Sequence, residues 1–201
     1  MSSGWAVREE RDRADADRHR ELLAAARASF EDLGYGATTI AEITRRAGVS
    51  RATFYVYFAS REDVFAVLAD EVRDRFVQAQ DLTGVDPDDV STVLRRTIAT
   101  TLDVTVDHLA LMTVLNHQAM GDPEIRVLWS QIKHEAVRRT ADYLARQSRE
   151  GRIRPVADTE ALATMGAGMN DRYAPLVVDH TITRTAAVDQ MHQIWMACVE
   201  P

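Results

Sequence analysis

The chain has 201 residues, of which 46% are apolar, and its formal net charge is −7. That length allows one large domain or two small ones, and the net acidity argues against strong nonspecific attraction to nucleic acids. The single cysteine, Cys198, excludes an intrachain disulfide, and the longest mostly apolar run, residues 109–115, is too short to span a membrane. We therefore expect a cytoplasmic protein with no membrane segment.

The first residues differ in composition from those that follow. Residues 1–16 mix arginine with aspartate and glutamate and have few apolar side chains, so we expect a flexible N-terminal arm, with an extension of the first helix as the alternative. From about residue 17 to residue 33, apolar side chains recur at helical spacing, and Gly34 ends the pattern. These apolar positions are Leu22, Leu23, Ala26, Phe30 and Leu33.

Signals for helix starts then follow in quick succession. Thr39 with Glu42 forms a capping box, and Ser50 can cap the next helix. Between them, Gly48 suits the left-handed conformation that ends a helix. Two short helices joined by a tight turn containing glycine predict a helix-turn-helix, whose second helix enters the DNA major groove.

The second helix of this motif has two different faces. At 100° per residue, Phe54 and Phe58 point in the same direction, which predicts that they pack on the rest of the domain. Ala52 and Val56 then point outward, where a small side chain allows close approach to base edges and Val56 can touch a thymine methyl group. Arg51 lies in the first turn and is the best candidate for a guanine O6/N7 contact.

The charge around this helix is locally positive. Residues 43–61 hold four arginines and no carboxylate, which is the kind of patch that phosphate contacts require. Thr53 and Tyr55 can bond phosphate oxygens, whereas Tyr57 can equally be a core aromatic. Arg46, late in its helix, either contacts DNA or only favours the helix dipole. The expected DNA-binding residues are Thr39, Arg46, Ser50, Arg51, Ala52, Thr53, Tyr55, Val56, Tyr57 and Arg61.

Residues 48–62, GVSRATFYVYFASRE, resemble the signature of the TetR family of one-component repressors. Two positions depart from it, because Ala52 stands where glycine or proline is common and Arg61 where lysine is common. Ala41 stands where many members carry an arginine that contacts a base, so that contact is expected to be missing. The resemblance implies a DNA-binding head, a C-terminal domain that binds an effector and dimerises, and a connecting helix whose tilt transmits the signal.

Helical patterns continue after the motif. Asp86 is the expected N-cap, and Pro87 the first residue, of a helix that contains Val90, Leu94 and Ile98. Asp122 and Pro123 repeat this arrangement before a long helix over about residues 124–149.

Two further helices are expected over about residues 159–178 and 183–199, and no segment shows the alternation typical of a strand. The expected fold is therefore all-α with about nine helices. It comprises a three-helix helix-turn-helix DNA-binding domain over residues 17–63 and a helical ligand-binding and dimerisation domain over residues 64–201.

The C-terminal part resembles one group within the TetR family. Residues 124–129, 169–172 and 194–195 are similar to the ethionamide-activation repressor EthR and its relatives, which implies an elongated apolar ligand tunnel. Ordinary core packing is the alternative for each apolar residue, and Asn170 is a polar group that could orient a ligand. The expected ligand-binding residues are Leu94, Ile98, Met112, Trp129, Ile132, Ala136, Met169, Asn170 and Tyr173.

The last two helices also indicate a dimer interface. Small residues on one of them permit close helix approach, and methionine and tryptophan are favoured in interface cores. A two-fold dimer in turn predicts a palindromic operator. The expected interface residues are Ala161, Met165, Met191, Ile194, Trp195 and Cys198, with the tunnel as the alternative location for Trp195.

No pattern of catalytic residues is visible. The six histidines lack metal-ligand spacing with acids, and the Gly-Ala-Gly at residues 166–168 follows no strand, so we expect no enzyme activity, metal or cofactor. The expected protein is a regulator, foremost a repressor, which binds operator DNA as a homodimer and is released by a small apolar or amphipathic effector. The alternatives are an activator or other ligand-independent regulator, and a small-molecule-binding protein whose DNA-binding head is not gated by ligand.

Overall fold

A computed structural model describes the backbone of residues 3–199 and the side chains of residues 15–199. Within these limits the chain forms nine α-helices and no strand, which confirms the all-α class. The chain divides into two compact units, and the division falls inside the fourth helix: the first unit ends at Ala69 and the second begins at Asp70. This division falls later than residue 63, because the early part of the fourth helix contributes Phe65 to the aromatic core of the first unit.

The first unit contains α1 (Ser3–Ala37), α2 (Ile40–Ala47), α3 (Arg51–Tyr57) and the start of α4 (Arg61–Ala79). The second contains the rest of α4 and the helices α5 (Val90–Asp107), α6 (Leu109–Ala119), α7 (Pro123–Arg149), α8 (Thr159–Val178) and α9 (Arg184–Val199).

The first helix is longer than its apolar pattern predicts. Helix α1 begins at Ser3, so the segment expected to be an arm continues the helix, as in the alternative interpretation; side chains before Asp15 lie outside the described residues. Near its other end, Gly34 leaves the helical conformation, with φ 75° and ψ 169°, and the chain kinks there. The Thr38 hydroxyl then closes the end, 2.9 Å from the Ser29 carbonyl oxygen and 2.8 Å from that of Gly34.

The predicted caps set the geometry of the helix-turn-helix. The Glu42 N–H donates to Thr39 Oγ1 at 3.2 Å, and the Thr53 N–H donates to Ser50 Oγ at 3.0 Å. Between the two helices Gly48 has φ 65°, in the left-handed region where a residue with a Cβ is disfavoured. A short α3 is thereby held at a fixed angle to α2.

Buried aromatic side chains pack α3 against the rest of the first unit. Phe54 is fully buried and Phe58 is 3% exposed, as the helical spacing predicts. The rings of Phe30 and Phe65 pack edge to face with centroids 4.7 Å apart, which joins α1 to α4 within this unit. Phe54 and Phe58 therefore hold one face of α3 against the rest of the unit, and the opposite face of α3 is exposed.

The second unit is a helical assembly around one apolar cluster. Helix α5 packs against α8 and α9, and α7 packs against α6 and α8. The cluster includes Leu94, Ile98, Leu102, Leu144, Met191 and Trp195, all 6% exposed or less. Packing on several sides explains why these helices are apolar on more than one face.

One helix start was predicted wrongly. Helix α5 begins at Val90, and its cap is Asp89, whose carboxylate accepts the Thr92 N–H at 3.0 Å. Asp86 instead accepts the Asp88 N–H at 3.0 Å in the preceding turn. Neighbouring carboxylates at several positions left the cap ambiguous, and the apolar face that decides it begins only at Val90. By contrast, α7 and α8 start at their expected positions, capped by Asp122 and Asp158.

No single helix among the described residues is both long and apolar enough to cross a membrane. Helices α5 and α6 meet that length and composition only as a pair, bent by 78°.

Candidate nucleic-acid interface and cavity

The outer face of α3 is an apolar and basic surface exposed to solvent. Val56 is 76% exposed and Tyr55 is 53% exposed, although apolar side chains of this size are usually covered. Arg51 and Ala52 are exposed beside them at the start of the helix. On its exposed face, α3 therefore presents a long cationic side chain (Arg51), a small one (Ala52) and two larger ones (Tyr55 and Val56).

Arg51 differs from its neighbouring arginines in its surroundings. Among the residues with described side chains, no carboxylate lies within ion-pair distance of Arg51. Arg45 and Arg46 both donate to Glu42, with bonds of 2.7 to 2.8 Å, and Arg46 also reaches Asp32 at 2.6 Å. These hydrogen bonds lower the pKa of Glu42 to about 2. The expected DNA contact of Arg46 must therefore compete with two carboxylates.

Arg61 has a structural position rather than the free one expected of a DNA contact. Its guanidinium donates to the carbonyl oxygens of Tyr35 and Thr38, each at 3.1 Å, and lies 4.3 Å from the centre of the Tyr35 ring. It also pairs with Glu62 at 2.8 Å. Arg61 therefore fastens the end of α1 to the start of α4, and the sequence could not show this because the carbonyl acceptors lie more than twenty residues earlier.

The other expected DNA contacts fall into two groups. Tyr57 is turned toward α1, where its hydroxyl donates to Asp15 at 3.3 Å; burial and this carboxylate raise the pKa of Tyr57. Thr39, Ser50 and Thr53 lie at helix starts and already use their hydroxyls in capping contacts. The residues left with free outward side chains are Arg51, Ala52, Tyr55 and Val56.

A cavity lies inside the second unit. Its walls come from the end of α4 and the residue that follows, and from α5, α7, α8 and α9. The cavity has a volume of about 60 Å³, counted as the space open to the centre of a water molecule, which is enough for water to enter. It is lined by Phe76, Gln80, Leu94, Thr97, Ile98, Thr101, Thr105, Ile132, Lys133, Ala136, Val137, Thr140, Ala163, Gly166, Ala167, Asn170, Asp171, Met191 and Trp195.

Five of the expected ligand-binding residues line this cavity: Leu94, Ile98, Ile132, Ala136 and Asn170. The other four lie elsewhere for identifiable reasons. Met112 is buried within α6, Trp129 lies beneath the Lys133 ammonium, and Met169 packs against the apolar cluster. The Tyr173 hydroxyl donates to Gln190 at 3.0 Å. Helical spacing alone could not tell a cavity wall from a solid core.

Two residues expected at the dimer interface belong to the cavity instead. Met191 is 1% exposed and Trp195 is 3% exposed, and both line the cavity wall. Trp195 therefore occupies the alternative location, and its side chain cannot lie on a surface. Of the remaining interface candidates, Ala161 and Ile194 are exposed, whereas Met165 and Cys198 are half-buried against the apolar cluster.

The polar side chains in the cavity wall come mainly from α5, α7 and α8. The Asn170 amide donates to Thr101 Oγ1 at 2.9 Å, and the Thr101 hydroxyl lies 2.6 Å from the Thr97 carbonyl oxygen. Lys133 and Asp171 form an ion pair across α7 and α8. Sequence reasoning missed the threonines of α5, although their positions three to four residues from Leu94 and Ile98 place them on the same face.

Gly166 permits a close contact inside this cavity. A Cβ atom added to Gly166 would lie 2.3 Å from Cζ2 of Trp195, so the indole ring rests directly on the helix backbone. The absence of a side chain at Gly166 thus determines where Trp195 lies.

No cluster of three possible metal ligands occurs in the described part of the chain.

Comparisons with known proteins agree with both halves of this architecture. The family profile for "Bacterial regulatory proteins, tetR family" matches residues 22–68, and the profile for "Transcriptional regulator EthR, C-terminal domain" matches residues 94–200. Among solved structures, the fatty acid degradation regulator FadR from Bacillus halodurans has a TM-score of 0.76 at 22% identity, covering 89% of this chain and 94% of that chain. This similarity shows a shared fold.

Two relatives are similar over most of their length. The HTH-type transcriptional repressor Rv1474c of Mycobacterium tuberculosis is 26% identical over 172 residues, which cover 86% of this chain and 84% of that protein. The HTH-type transcriptional regulator EthR of Mycolicibacterium smegmatis is 27% identical over 160 residues, or 78% and 72% of the two chains. The C-terminal profile alone spans more than half of the chain. The chain therefore belongs to the TetR family of transcriptional regulators, in the group with an EthR-type C-terminal domain.

Proposed function

We propose that this regulator is a repressor, which binds a palindromic operator as a homodimer and leaves the DNA when a small apolar or amphipathic effector occupies the cavity. The observation that carries the proposal is the outer face of α3, where Arg51 has no described carboxylate beside it and Tyr55 and Val56 are exposed. A relative named as a transcriptional repressor supports the direction of regulation.

The chemistry of α3 suits a particular division of contacts. The Arg51 guanidinium can donate two parallel hydrogen bonds to guanine O6 and N7 in the major groove. Val56 can contact a thymine methyl group, and the Tyr55 hydroxyl can bond a phosphate oxygen. Direct sequence recognition therefore depends mainly on Arg51, with the backbone contacts fixing the position of the helix.

Exposed apolar residues of the last two helices support the proposed dimer. Ile194 is 41% exposed on α9, and the exposed Ala161 lies on α8, which packs beside α9. Two such helices from each subunit would form a self-complementary interface around a two-fold axis. That symmetry calls for an operator with two inverted half-sites.

Effector release is supported by the shape and composition of the cavity. Most of the exposed wall surface is apolar, and the open space inside is small, about 60 Å³. A bulkier ligand requires Trp195 or its neighbours to move, and such a ligand favours whichever conformation of the domain already has the wider cavity. Because α4 is continuous between the two units, a change at its end can alter the DNA-binding state.

A gel-shift titration on the DNA upstream of the protein's own gene tests the DNA-binding assignment. Arg51→Ala should weaken operator binding by about 1–3 kcal/mol, roughly five- to 150-fold, while binding to unrelated DNA falls less. Arg20→Ala is the matched control, because it removes one exposed arginine of the same unit that already pairs with Asp17. If Arg51→Ala and Arg20→Ala behaved alike, α3 would not be the recognition helix.

A further inference from the structure

One polar atom of the cavity wall lacks a hydrogen-bond partner within the chain. Gln80 directly follows α4, and its side-chain oxygen Oε1 is buried without a donor among the described residues. It is the only buried side-chain nitrogen or oxygen of this kind in the described part of the chain. Buried polar atoms in native proteins are nearly always paired, so an unpaired acceptor beside a cavity indicates what the cavity receives.

The orientation of the Gln80 amide is fixed by its other contacts. Its Nε2 donates to the Ala136 carbonyl oxygen at 3.0 Å and to Thr140 Oγ1 at 3.2 Å. The Thr140 hydroxyl hydrogen is directed to the same Ala136 oxygen, 3.1 Å away, which leaves Oγ1 as an acceptor. Rotating the amide by 180° would place Oε1 against the Ala136 oxygen, so the acceptor must stay on the unpaired side.

Several other polar groups of the cavity wall have partners within the chain. The Asn170 amide nitrogen donates to Thr101, and Lys133 pairs with Asp171. The aliphatic part of the wall near Gln80 includes Leu94. A ligand that reaches Gln80 therefore meets an apolar surface and a buried acceptor that no group of the described chain satisfies.

We propose that the effector carries a hydrogen-bond donor, a hydroxyl or N–H group, which Gln80 Oε1 accepts while the apolar body of the effector lies against α5 and α9. This inference rests on the proposed function, since it assumes that the cavity is the effector site. It adds a selection rule: among ligands of equal size and apolarity, those with a donor bind more tightly. It also places the polar contact at the segment that immediately follows α4.

A pair of isomeric probes tests the rule. The alcohol n-octanol and the ether heptyl methyl ether have the same atoms, but only the alcohol has a donor. Isothermal titration calorimetry on the full chain should show the alcohol binding about tenfold more tightly than the ether. Equal affinity in the wild-type protein would overturn the inference while leaving the cavity as the effector site. Binding of neither probe would overturn the effector cavity itself, and the inference with it.

Two variants assign the preference to Gln80. Gln80→Met keeps the length of the side chain and removes the acceptor, so it should bind the two probes equally. Gln78→Met is the matched control, because Gln78 is an exposed glutamine outside the cavity wall, and it should keep the preference of the wild type. A preference that survives in Gln80→Met, or disappears in Gln78→Met, would show that the donor bonds elsewhere. Because the wild-type comparison needs no variant, the test stands even if Gln80→Met folds poorly.

Discussion

Arg51, Arg46 and Arg61 lie within one short stretch of chain, yet their side chains have three different environments. Arg51 is exposed without a described carboxylate beside it, Arg46 is held by Glu42 and Asp32, and Arg61 bonds carbonyl oxygens. The orientation of α3 could be predicted, because helical spacing determines which side is buried. The fate of Arg46 and Arg61 could not, since their partners are set by tertiary contacts.

The contact between Gly166 and Trp195 leads to a prediction about stability. Gly166→Ala should destabilise the protein by about 1–3 kcal/mol, because the new methyl group would overlap the indole ring of Trp195 and force that buried side chain out of its position. Urea unfolding followed by circular dichroism measures the change.

Gly168→Ala is the control for that prediction. It lies in the same helix, and a Cβ added there meets nothing within 4 Å. Alanine should therefore stabilise the helix by roughly 0.5–1 kcal/mol. Equal effects of the two alanines would show that the indole does not depend on Gly166.

At the scale of elements, most helix bounds could be predicted because the stop and start signals are local. Asp122 with Pro123 begins α7 as expected, and α8 begins at Thr159, where its helical pattern was expected to start. The early start of α1 and the late start of α5 could not be predicted. The charged residues at the start of α1 show no helical spacing of apolar side chains, so the sequence did not indicate that the helix begins there. For α5, Asp86, Asp88 and Asp89 could each act as the N-cap.

On α2, the Glu42 carboxylate pairs with Arg45 and Arg46, and this leads to a prediction about DNA affinity. Glu42→Gln should free Arg45 for phosphates and leave Arg46 paired only with Asp32, raising affinity for unrelated DNA and steepening its salt dependence by about one counterion per new contact. Fluorescence anisotropy across a salt series measures the slope. Glu21→Gln removes an equal charge from an exposed pair on α1 and should leave the slope nearly unchanged.

The same substitution has a pH signature. The pKa of Glu42 in the folded protein is about 2, below the ordinary value of 4.5. Its ion pairs therefore stabilise the folded state fully when the pH is above 4.5, and this stabilisation is lost as the pH falls toward 2. The wild type should therefore exceed Glu42→Gln in stability at neutral pH, and the difference should shrink in acid. A difference that stayed constant through this range would mean that the carboxylate charge contributes nothing.

At the scale of the whole molecule, the division into a DNA-binding unit and a cavity-bearing unit could be anticipated from the motif and the resemblance it carries. The assignment of C-terminal residues to cavity or interface was much less accurate. Met191 and Trp195 are apolar residues on a helix that is apolar on more than one side, so spacing could not decide between partner and interior. Only the packing of α9 against α5 and α8 separates them from exposed Ile194.

The symmetry of operator binding joins the proposed roles of both units, since the dimer sets the spacing at which two copies of α3 can meet DNA. A hydroxyl-radical footprint on the DNA upstream of the protein's own gene measures that spacing directly. We predict two inverted protected half-sites, with centres about 34–36 Å apart or a multiple of that distance, and loss of both in Arg51→Ala at a protein concentration that just saturates the operator with wild type. A single unsymmetrical protected stretch, or protection that Arg51→Ala leaves intact, would contradict the account.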